Sequence, residues 1–507
     1  MMQQCARTCF PGNLCQKHKS LYMTPIKNRK TNMKKIVLLV LLAVNSNLFA
    51  QQSKTGKIDS LMTAVYNRGQ FTGSILIANQ GKVVYKKAFG MADREKKIPF
   101  TLNTQEYIGS ISKQFTAMGI AILEDRGKLK YSQSIRDFFQ ELPAFMQSVT
   151  VQNLLYHTSG LAIFDDYPDM TEKNVFDILL KQNKLRFTPG TKFEYCNAGY
   201  SLLGMIIEKV SGQSLNGFLT ANIFKPLGMN HTVVNEISHR NTTRAIGYGL
   251  YGDINNYDSF MGGNVSIIST VEDLYKWDEA LYHFKQVKQA TLAEVFTPSS
   301  QAVNNTALLL KDNMFGDKSY GFGIWIAMHN DAKDFFHDGA FSGYMAYNER
   351  ITSDHTDIIE LSNLRHAPEY EIRQAIVNIL ANKPYSLPKI TASVWLNAKI
   401  TADGIDSAIS GYRPLQKTDT ANYAFSEYDL NQYAYLLLRA NRINEAIKVF
   451  KLNTELHPDS FNVYDSLADG YEKAGDKAKA LESCMKALKL DPNNDYEKNR
   501  IKGFESQ

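Results

Sequence analysis

Apolar residues recur with strand-like and helix-like spacing in separate blocks of the chain. Residues 72–78 and 82–85 are strand-like, and Gly81 lies in a turn-like segment between them. From residue 110 to about 281 the apolar positions mostly follow a helical period. The sequence therefore predicts a β-hairpin followed by a long helical block.

Strand patterns return after this block. The sequence predicts strands at 335–336, 343–351 and 357–362 and a closing helix at 369–380. Such an order is typical of an α/β (α+β) fold, in which helices flank a mixed antiparallel sheet and an all-helical lobe is inserted. We predict that this domain spans 51–385 and that 386–420 forms a linker or helical connector.

The last part of the chain, 421–507, repeats with a period of 34 residues. The repeated pairs include Ala434 and Ala468, Ala446 and Ala480, Leu456 and Leu490, and Pro458 and Pro492. This pattern resembles tetratricopeptide repeats. Because two such units bury little core alone, we expect them to pack on 390–415 or on the preceding domain. The sequence leaves open whether they bind a protein partner, self-associate or cap the domain.

The first 50 residues have the composition of an export signal. Met33-Lys34-Lys35 precedes an apolar run at 36–44, and Ala50 offers a small residue for cleavage. The run is too short to span a bilayer stably. We predict a signal peptide at 1–50, with Met33 as an alternative start, and a periplasmic or secreted protein with no stable membrane span.

Charge and cysteine content argue against other classes of function. The 507-residue chain has a formal net charge of +6, but its first 50 residues hold 8 Lys and Arg and no acid. The remainder has a charge of −2 and gives no indication of nucleic-acid binding. Three of the five cysteines precede Met33, and Cys196 and Cys484 form no paired motif. We expect no disulfide framework, metal or cofactor.

A hydroxyl and an amine lie three residues apart in Ser110-Ile111-Ser112-Lys113, at the predicted start of a helix. Positions i and i+3 are neighbours on a helix surface. A Lys113 that loses its proton in a low-dielectric pocket would draw the proton from Ser110 and make it nucleophilic. Gly109, just before the serine, permits close backbone approach.

The same tetrapeptide pattern occurs twice more. Ser386-Leu387-Pro388-Lys389 contains a proline that breaks helical geometry, and we interpret it as linker. Ser483-Cys484-Met485-Lys486 lies in a predicted repeat helix, and we interpret it as a solvated helix face. Ser110 is therefore the candidate nucleophile.

A serine–lysine pair needs a second proton carrier and donors for the oxyanion. Tyr195 and Asn197 lie in the single Tyr-x-Asn of the chain; the phenol would shuttle a proton and the amide would bind Lys113 and a substrate carbonyl. His337-Asp338-Gly339 is the single His-x-Gly, on a predicted strand. Gly339 would let a substrate backbone approach, and the amides of Ala340 and Ser110 would bind the oxyanion.

These three motifs, in this order, resemble the serine β-lactamase-related family, which includes class C β-lactamases, D,D-peptidases, D-aminopeptidases and esterases. Supporting segments are Leu154–Leu161, Pro226–Met229, Ser269–Leu274 and Tyr320–Gly323, and the likeness spans about 57–380. The resemblance implies a β-lactamase/transpeptidase-like sheet and an acyl-enzyme on Ser110. It also implies proton transfer by Lys113 and Tyr195, a positioning role for Asn197, and His337 on the third wall of the site.

One departure bears on the substrate. Family members that bind penicillin carry Lys-Thr-Gly on the third wall, where the lysine holds the substrate carboxylate, and this chain has His337 there. An unperturbed histidine is mostly uncharged at neutral pH. We therefore expect an ester or amide substrate, D-amino-acid peptides included. The alternatives are a weak β-lactamase and a penicillin-binding sensor or scaffold without turnover. His157 is interpreted as a structural hydrogen-bonding residue.

Overall fold

One antiparallel sheet organises the first three quarters of the molecule. The computed structural model describes residues 54–164, 167–238, 240–299, 318–329 and 332–505, and Thr55–Gln507 groups as one compact unit. The predicted signal peptide at 1–50 lies outside the described residues.

The strands, in chain order, are β1 Gly73–Asn79, β2 Lys82–Phe89, β3 Met91–Asp93, β4 Ile98–Pro99, β5 Glu106–Tyr107, β6 Met170–Thr171, β7 Val233–Val234, β8 Ser259–Phe260, β9 Ile267–Ser269, β10 Lys318–Tyr320, β11 Trp325–His329, β12 Ala332–Phe341, β13 Tyr344–Ile351, β14 Thr356–Ser362, β15 Ile390–Thr391 and β16 Tyr423–Ala424. The main sheet has the order β10-β11-β12-β13-β14-β1-β2, and every neighbouring pair is antiparallel. Among the described residues, the other strands form separate two-stranded sheets and one three-stranded sheet.

The helices are α1 54–67, then α2 Ser112–Asp125, α3 Ile135–Phe138, α4 Val151–Leu155, α5 Glu172–Lys181, α6 Asn197–Ser211, α7 Leu215–Leu219, α8 Val271–Leu281, α9 Gln289–Val295, α10 Glu369–Leu380, α11 Ala392–Asp403, α12 Ile405–Thr418, α13 Glu427–Arg439, α14 Ile443–Leu456, α15 Phe461–Lys473, α16 Lys477–Leu490 and α17 Asp495–Glu505. Helices α2 to α9 lie between β5 and β10 in the chain and supply the predicted helical lobe. The predicted hairpin, the strands after residue 335 and the helix at 369–380 are confirmed by β1, β2, β12 to β14 and α10.

Strand β1 is buried on both faces of the sheet, which explains why its sequence is almost entirely apolar. Ile75 and Ile77 pack in a core with α1 and α10, whereas Leu76 between them packs in the core of the helical lobe. Successive strand residues point to opposite faces, so a strand covered on both sides needs apolar residues at every position. Helix α2 is likewise surrounded, because every residue from Ser112 to Leu123 is buried.

The C-terminal helices share one core with the connector. Leu396 and Tyr412, from α11 and α12, pack in the same apolar cluster as Tyr433, Ala446 and Ala480 from the repeats. The expectation that the repeats pack on 390–415 is confirmed. No helix among the described residues is both long and apolar enough to cross a membrane.

Candidate active site

The nucleophile candidate lies on a tight turn that leads into α2. Gly109–Ile111 forms a 3₁₀ turn, and α2 begins only at Ser112. The prediction that the Ser110–Lys113 tetrapeptide lies at the start of a helix is therefore confirmed, with Ser110 in the 3₁₀ turn. Side chains three residues apart also align in such a turn. The Lys113 Nζ atom lies 2.9 Å from Ser110 Oγ.

The buried amine of Lys113 is held by a residue that sequence reasoning missed. Asn264 accepts hydrogen bonds from Lys113 Nζ at its side-chain Oδ1 (2.8 Å) and at its backbone carbonyl (3.3 Å). An uncharged amine has two N–H donors and one lone pair. If the two donors bind Asn264, the lone pair is left for the Ser110 hydroxyl. The local signal was Gly262-Gly263-Asn264, just before the buried strand β9.

Tyr195 flanks this amine within an aromatic wall. Its ring centroid lies 5.0 Å from Lys113 Nζ and 4.2 Å from the ring of His157. His157 is fully buried, and its Nδ1 atom accepts the backbone N–H of Cys196 at 3.1 Å. The interpretation of His157 as a structural hydrogen-bonding residue is confirmed, and its contact fixes the backbone next to Tyr195. Burial lowers the pKa of His157 well below its usual value.

Asn197 begins helix α6, two residues after Tyr195. Its side-chain Oδ1 is buried and accepts no hydrogen bond from the described residues. A buried carbonyl oxygen without a donor carries an energetic cost, and such groups call for an explanation. The oxygen is thus available to a donor on a bound molecule. Cys196 between the two residues is a packed residue, 3% exposed.

His337 is buried, and its hydrogen bonds fix its tautomer. Its Nδ1 atom lies 2.6 Å from the carbonyl oxygen of Asp338, which only accepts, so Nδ1 carries the proton. The Nε2 atom then accepts from the Tyr320 hydroxyl at 3.0 Å. Burial lowers the pKa of His337 to about 4, with the Asp338 carboxylate opposing this shift and the Lys113 amine adding to it. His337 is therefore a neutral residue at neutral pH.

Gly109 and Gly339 let two backbone segments touch. Gly109 has φ +51°, and a Cβ there would lie 2.6 Å from the Ala340 nitrogen; a Cβ on Gly339 would lie 2.0 Å from the Ile108 carbonyl oxygen. Only glycine fits such contacts. Gly339 is thus required for the contact with Ile108 on one face of the strand, and the expectation that a substrate backbone approaches along the strand edge there stays a prediction. The contact brings the Ala340 amide beside the turn that carries Ser110.

One edge of β12 is open beside the site. Its pairing with β11 ends at Phe336, whereas its pairing with β13 continues to Phe341. Residues 338–341 therefore have a strand partner on only one side within the described part of the chain. An extended peptide can add to such an edge through backbone hydrogen bonds.

The two other Ser-x-x-Lys segments differ from the Ser110 site in the surroundings of the serine and the lysine. Ser386 lies outside helices and strands, as expected. Ser483 is only 5% exposed, so its assignment to a solvated face is wrong; packing of the stacked repeats buries it. Its hydroxyl donates to the Lys479 carbonyl oxygen, while Lys486 pairs with Glu482.

This class of fold and site is that of the serine hydrolases of the β-lactamase and penicillin-binding type. It combines the sheet, the inserted helical lobe and a serine–lysine pair beside a tyrosine. The chain belongs to the Beta-lactamase family, whose profile matches residues 49–398. A Tetratricopeptide repeat profile matches residues 461–494.

Individual relatives agree with this family. Penicillin-binding protein 4* of Bacillus subtilis (strain 168) is 30% identical over 384 residues, which cover 69% of this chain and 82% of that protein. The octameric penicillin-binding protein homologue from Pyrococcus abyssi is 28% identical, with a TM-score of 0.57 over 65% of this chain and 77% of its own. The D-amino acid amidase of Ochrobactrum anthropi SV3, 23% identical with a TM-score of 0.54 over 66% of this chain and 99% of its own, shares the fold.

Proposed function

We propose that this chain is an exported serine hydrolase that cleaves ester or amide bonds, D-amino-acid peptides included, through an acyl-enzyme on Ser110. The observation that carries the proposal is the 2.9 Å contact between Ser110 Oγ and a Lys113 amine held by Asn264. Geometry of this kind provides a nucleophile with its own base.

In the first step the Ser110 hydroxyl gives its proton to Lys113 Nζ while Oγ forms a bond to the substrate carbonyl carbon. The carbonyl oxygen becomes negatively charged and accepts hydrogen bonds from the backbone amides of Ser110 and Ala340. The proton then passes from Lys113 through the Tyr195 hydroxyl to the leaving alcohol or amine as its bond to carbon breaks. Water repeats these steps on the acyl ester and releases Ser110.

The site favours substrates that need no cation at the position of His337 in β12. His337 is neutral because burial lowers its pKa to about 4, and both of its ring nitrogens are engaged by Asp338 and Tyr320. A substrate carboxylate therefore gains no ionic contact from it, in contrast to the lysine of penicillin-binding relatives. The open edge of β12 supports an amide substrate that binds in extended form. Asn197 Oδ1 would accept one of its N–H groups.

Export and a partner for the repeats are part of the same proposal. The basic and apolar pattern at 33–50 supports secretion or a periplasmic location. The tetratricopeptide-like helices support a protein partner or self-association through the tail. Fractionation of cells that express the full chain tests export: cleavage near Ala50 is expected, and retention of the uncleaved chain in the cytoplasm would reject it.

A substrate panel tests the activity. Purified protein is assayed with p-nitrophenyl esters, D-alanyl peptides and a chromogenic cephalosporin, in parallel with Ser110→Ala and the matched control Ser386→Ala. Turnover of esters or D-alanyl peptides by the native chain and the control, and its loss by more than about 10⁴-fold in Ser110→Ala, is expected. A single burst without steady turnover would favour the sensor alternative, and activity retained in Ser110→Ala would reject the proposal.

A further inference from the structure

A second group of ligand-type side chains lies at the other end of the main sheet from Ser110. It consists of Glu279 in α8, His355 in the turn between β13 and β14, and Asp357 in β14. One ligand atom from each lies within 4.8 Å of the others. The hairpin 342–343 joins β12 to β13 at the end near Ser110, so this group is at the opposite end of β13.

Asp357 is the unusual member of this group. It has no solvent-exposed surface, and neither of its carboxylate oxygens accepts a hydrogen bond from the described residues. A buried carboxylate without partners is costly, and proteins normally pair such groups or bind a metal with them. Burial, together with the neighbouring acids Asp278 and Glu279, raises the pKa of Asp357 to about 8.

The cations near Asp357 are shared with other acids. Asp278 is also buried, so Asp278, Glu279 and Asp357 share one guanidinium, that of Arg350, and His355 pairs with Glu279 at 2.7 Å. Arg350 pairs with Asp278 at 3.8 Å and lies over the rings of Phe296 and Phe335 at 4.9 and 5.1 Å. Arg350 is opposite Asp357 in the strand register and divides its charge between Asp278 and Asp357. A bound cation would give the Asp357 oxygens the partner that they lack among the described residues.

We propose that Glu279, His355 and Asp357 bind one Zn²⁺ ion. Zinc bonds to imidazole nitrogen and carboxylate oxygen measure about 2.0–2.2 Å, which places ligand atoms about 3.4 Å apart in a tetrahedron. The His355 Nε2 and Glu279 Oε1 atoms are 2.7 Å apart and would separate by roughly 0.7 Å to reach that spacing, whereas ligand atoms near the 4.8 Å limit of the group would move closer. Imidazole favours zinc over the all-oxygen cations Mg²⁺ and Ca²⁺. Water supplies the fourth ligand.

The geometry gives the ion a route in and a structural role. The side chains of His355 and Glu279 are 38% and 33% exposed, so they form a rim above the buried Asp357. The His355 ring is stacked on that of Tyr282 at a centroid distance of 4.2 Å, which limits its orientation. Bound zinc would join the C-terminal part of α8 to the turn between β13 and β14. The site is about five residues, or roughly 17 Å, along β13 from the Ala340 contact, so its role is structural.

Competition between the chelator-treated full chain and a chromophoric zinc chelator tests the proposal. One equivalent of Zn²⁺ per chain, bound with a Kd below about 1 µM, is expected for the native protein. His355→Gln and Asp357→Asn should each weaken binding at least 100-fold, and Asp354→Asn, an exposed acid in the same turn, should leave it unchanged. X-ray absorption of the zinc-loaded native chain should show nitrogen and oxygen ligands with imidazole scattering and no sulfur.

Several results would overturn the assignment. These are less than 0.1 equivalent of bound zinc, unchanged affinity in His355→Gln, or a sulfur ligand, which would point to one of the five cysteines of the chain. If Asp357→Asn does not give a native circular dichroism spectrum, His355→Gln decides the outcome, since that side chain lies at the surface. None of these readouts depends on hydrolase activity, so failure of the zinc site and failure of the Ser110 proposal are separable.

Discussion

The two ends of β13 differ in the hydrogen-bond partners that they provide for a buried ionisable group. At one end the Lys113 amine contacts Ser110 Oγ and two oxygens of Asn264. At the other end the Asp357 carboxylate is equally buried, but no described residue donates a hydrogen bond to it. Burial makes a satisfied polar network strong and an unsatisfied group expensive. At the first end residues of this chain hold the Lys113 amine, whereas the second end has a place for a cation.

The largest effect on this comparison is expected from Lys113→Met, which fills the volume but removes the amine. Turnover should fall by about 10⁴-fold or more, because Ser110 loses its base. The double variant Ser110→Ala, Lys113→Met should be no slower than Ser110→Ala alone, since groups that act as a unit do not contribute additively. Steady-state kinetics on the best substrate of the panel measure both. A double variant slower by a further 10⁴-fold would show that the two residues act independently.

A smaller loss is expected from Asn264→Ala. The amine would keep its contact with Ser110 but lose the side-chain oxygen that orients it, so kcat should fall by about 10²-fold. The effect should appear in kcat more than in KM, because Asn264 acts on Lys113 rather than on the substrate. Ser386→Ala again serves as the unaffected control. Normal kcat in a folded Asn264→Ala protein would show that Asn264 has no role in orienting Lys113 for catalysis.

The pH dependence of stability tests the neutral state of His337. Its pKa is about 4 in the folded chain and 6.5 in the unfolded chain, so the unfolded chain binds the proton first as the pH falls. The stability is fully present above pH 6.5 and decreases as the pH falls towards 4, by about 2 to 3 kcal/mol for this group. Denaturant titrations of the native chain and His337→Gln should show a shallower loss in the variant. Equal slopes would contradict the shifted pKa.

The smallest effect is expected on the free energy of unfolding when Asp357 is replaced in zinc-free protein. In chelator-treated protein, Asp357→Asn replaces an unpartnered carboxylate with an amide that can donate to Glu279, so the free energy of unfolding should rise by about 1 kcal/mol. The exposed change Asp354→Asn should alter it by less than about 0.5 kcal/mol. Added zinc should stabilise the native chain but not Asp357→Asn. A destabilised Asp357→Asn protein in chelator would mean that the carboxylate is compensated by the fold itself.

The sequence predicted those features that depend on local spacing. Apolar periodicity located β1, β2 and α10, and the i, i+3 spacing brought Ser110 and Lys113 together. It could not place Asn264 beside Lys113, because that contact joins residues 151 positions apart and the local Gly-Gly-Asn pattern does not indicate a distant partner.

The remaining misses have the same origin in tertiary contacts. The contact between Gly339 and Ile108 was not predicted, since only the fold shows that Ile108 packs against this glycine. The burial of Ser483 depends on how the repeats stack. Glu279 lies in a helix, and His355 and Asp357 lie in a turn and a strand; Glu279 and His355 are 76 residues apart, a separation that no short metal-binding motif covers. No sequence pattern therefore indicated a metal there.

The most direct test of the central claim is to locate a trapped acyl group on the chain. The native protein is quenched with acid during turnover of an ester substrate, digested, and mapped by tandem mass spectrometry, with Lys113→Met treated identically. We predict one acyl mass on the peptide that contains Ser110, at the serine hydroxyl, and none in the variant. An acyl group on another residue, or the same adduct in both proteins, would contradict the claim that Ser110 and Lys113 form the reaction centre.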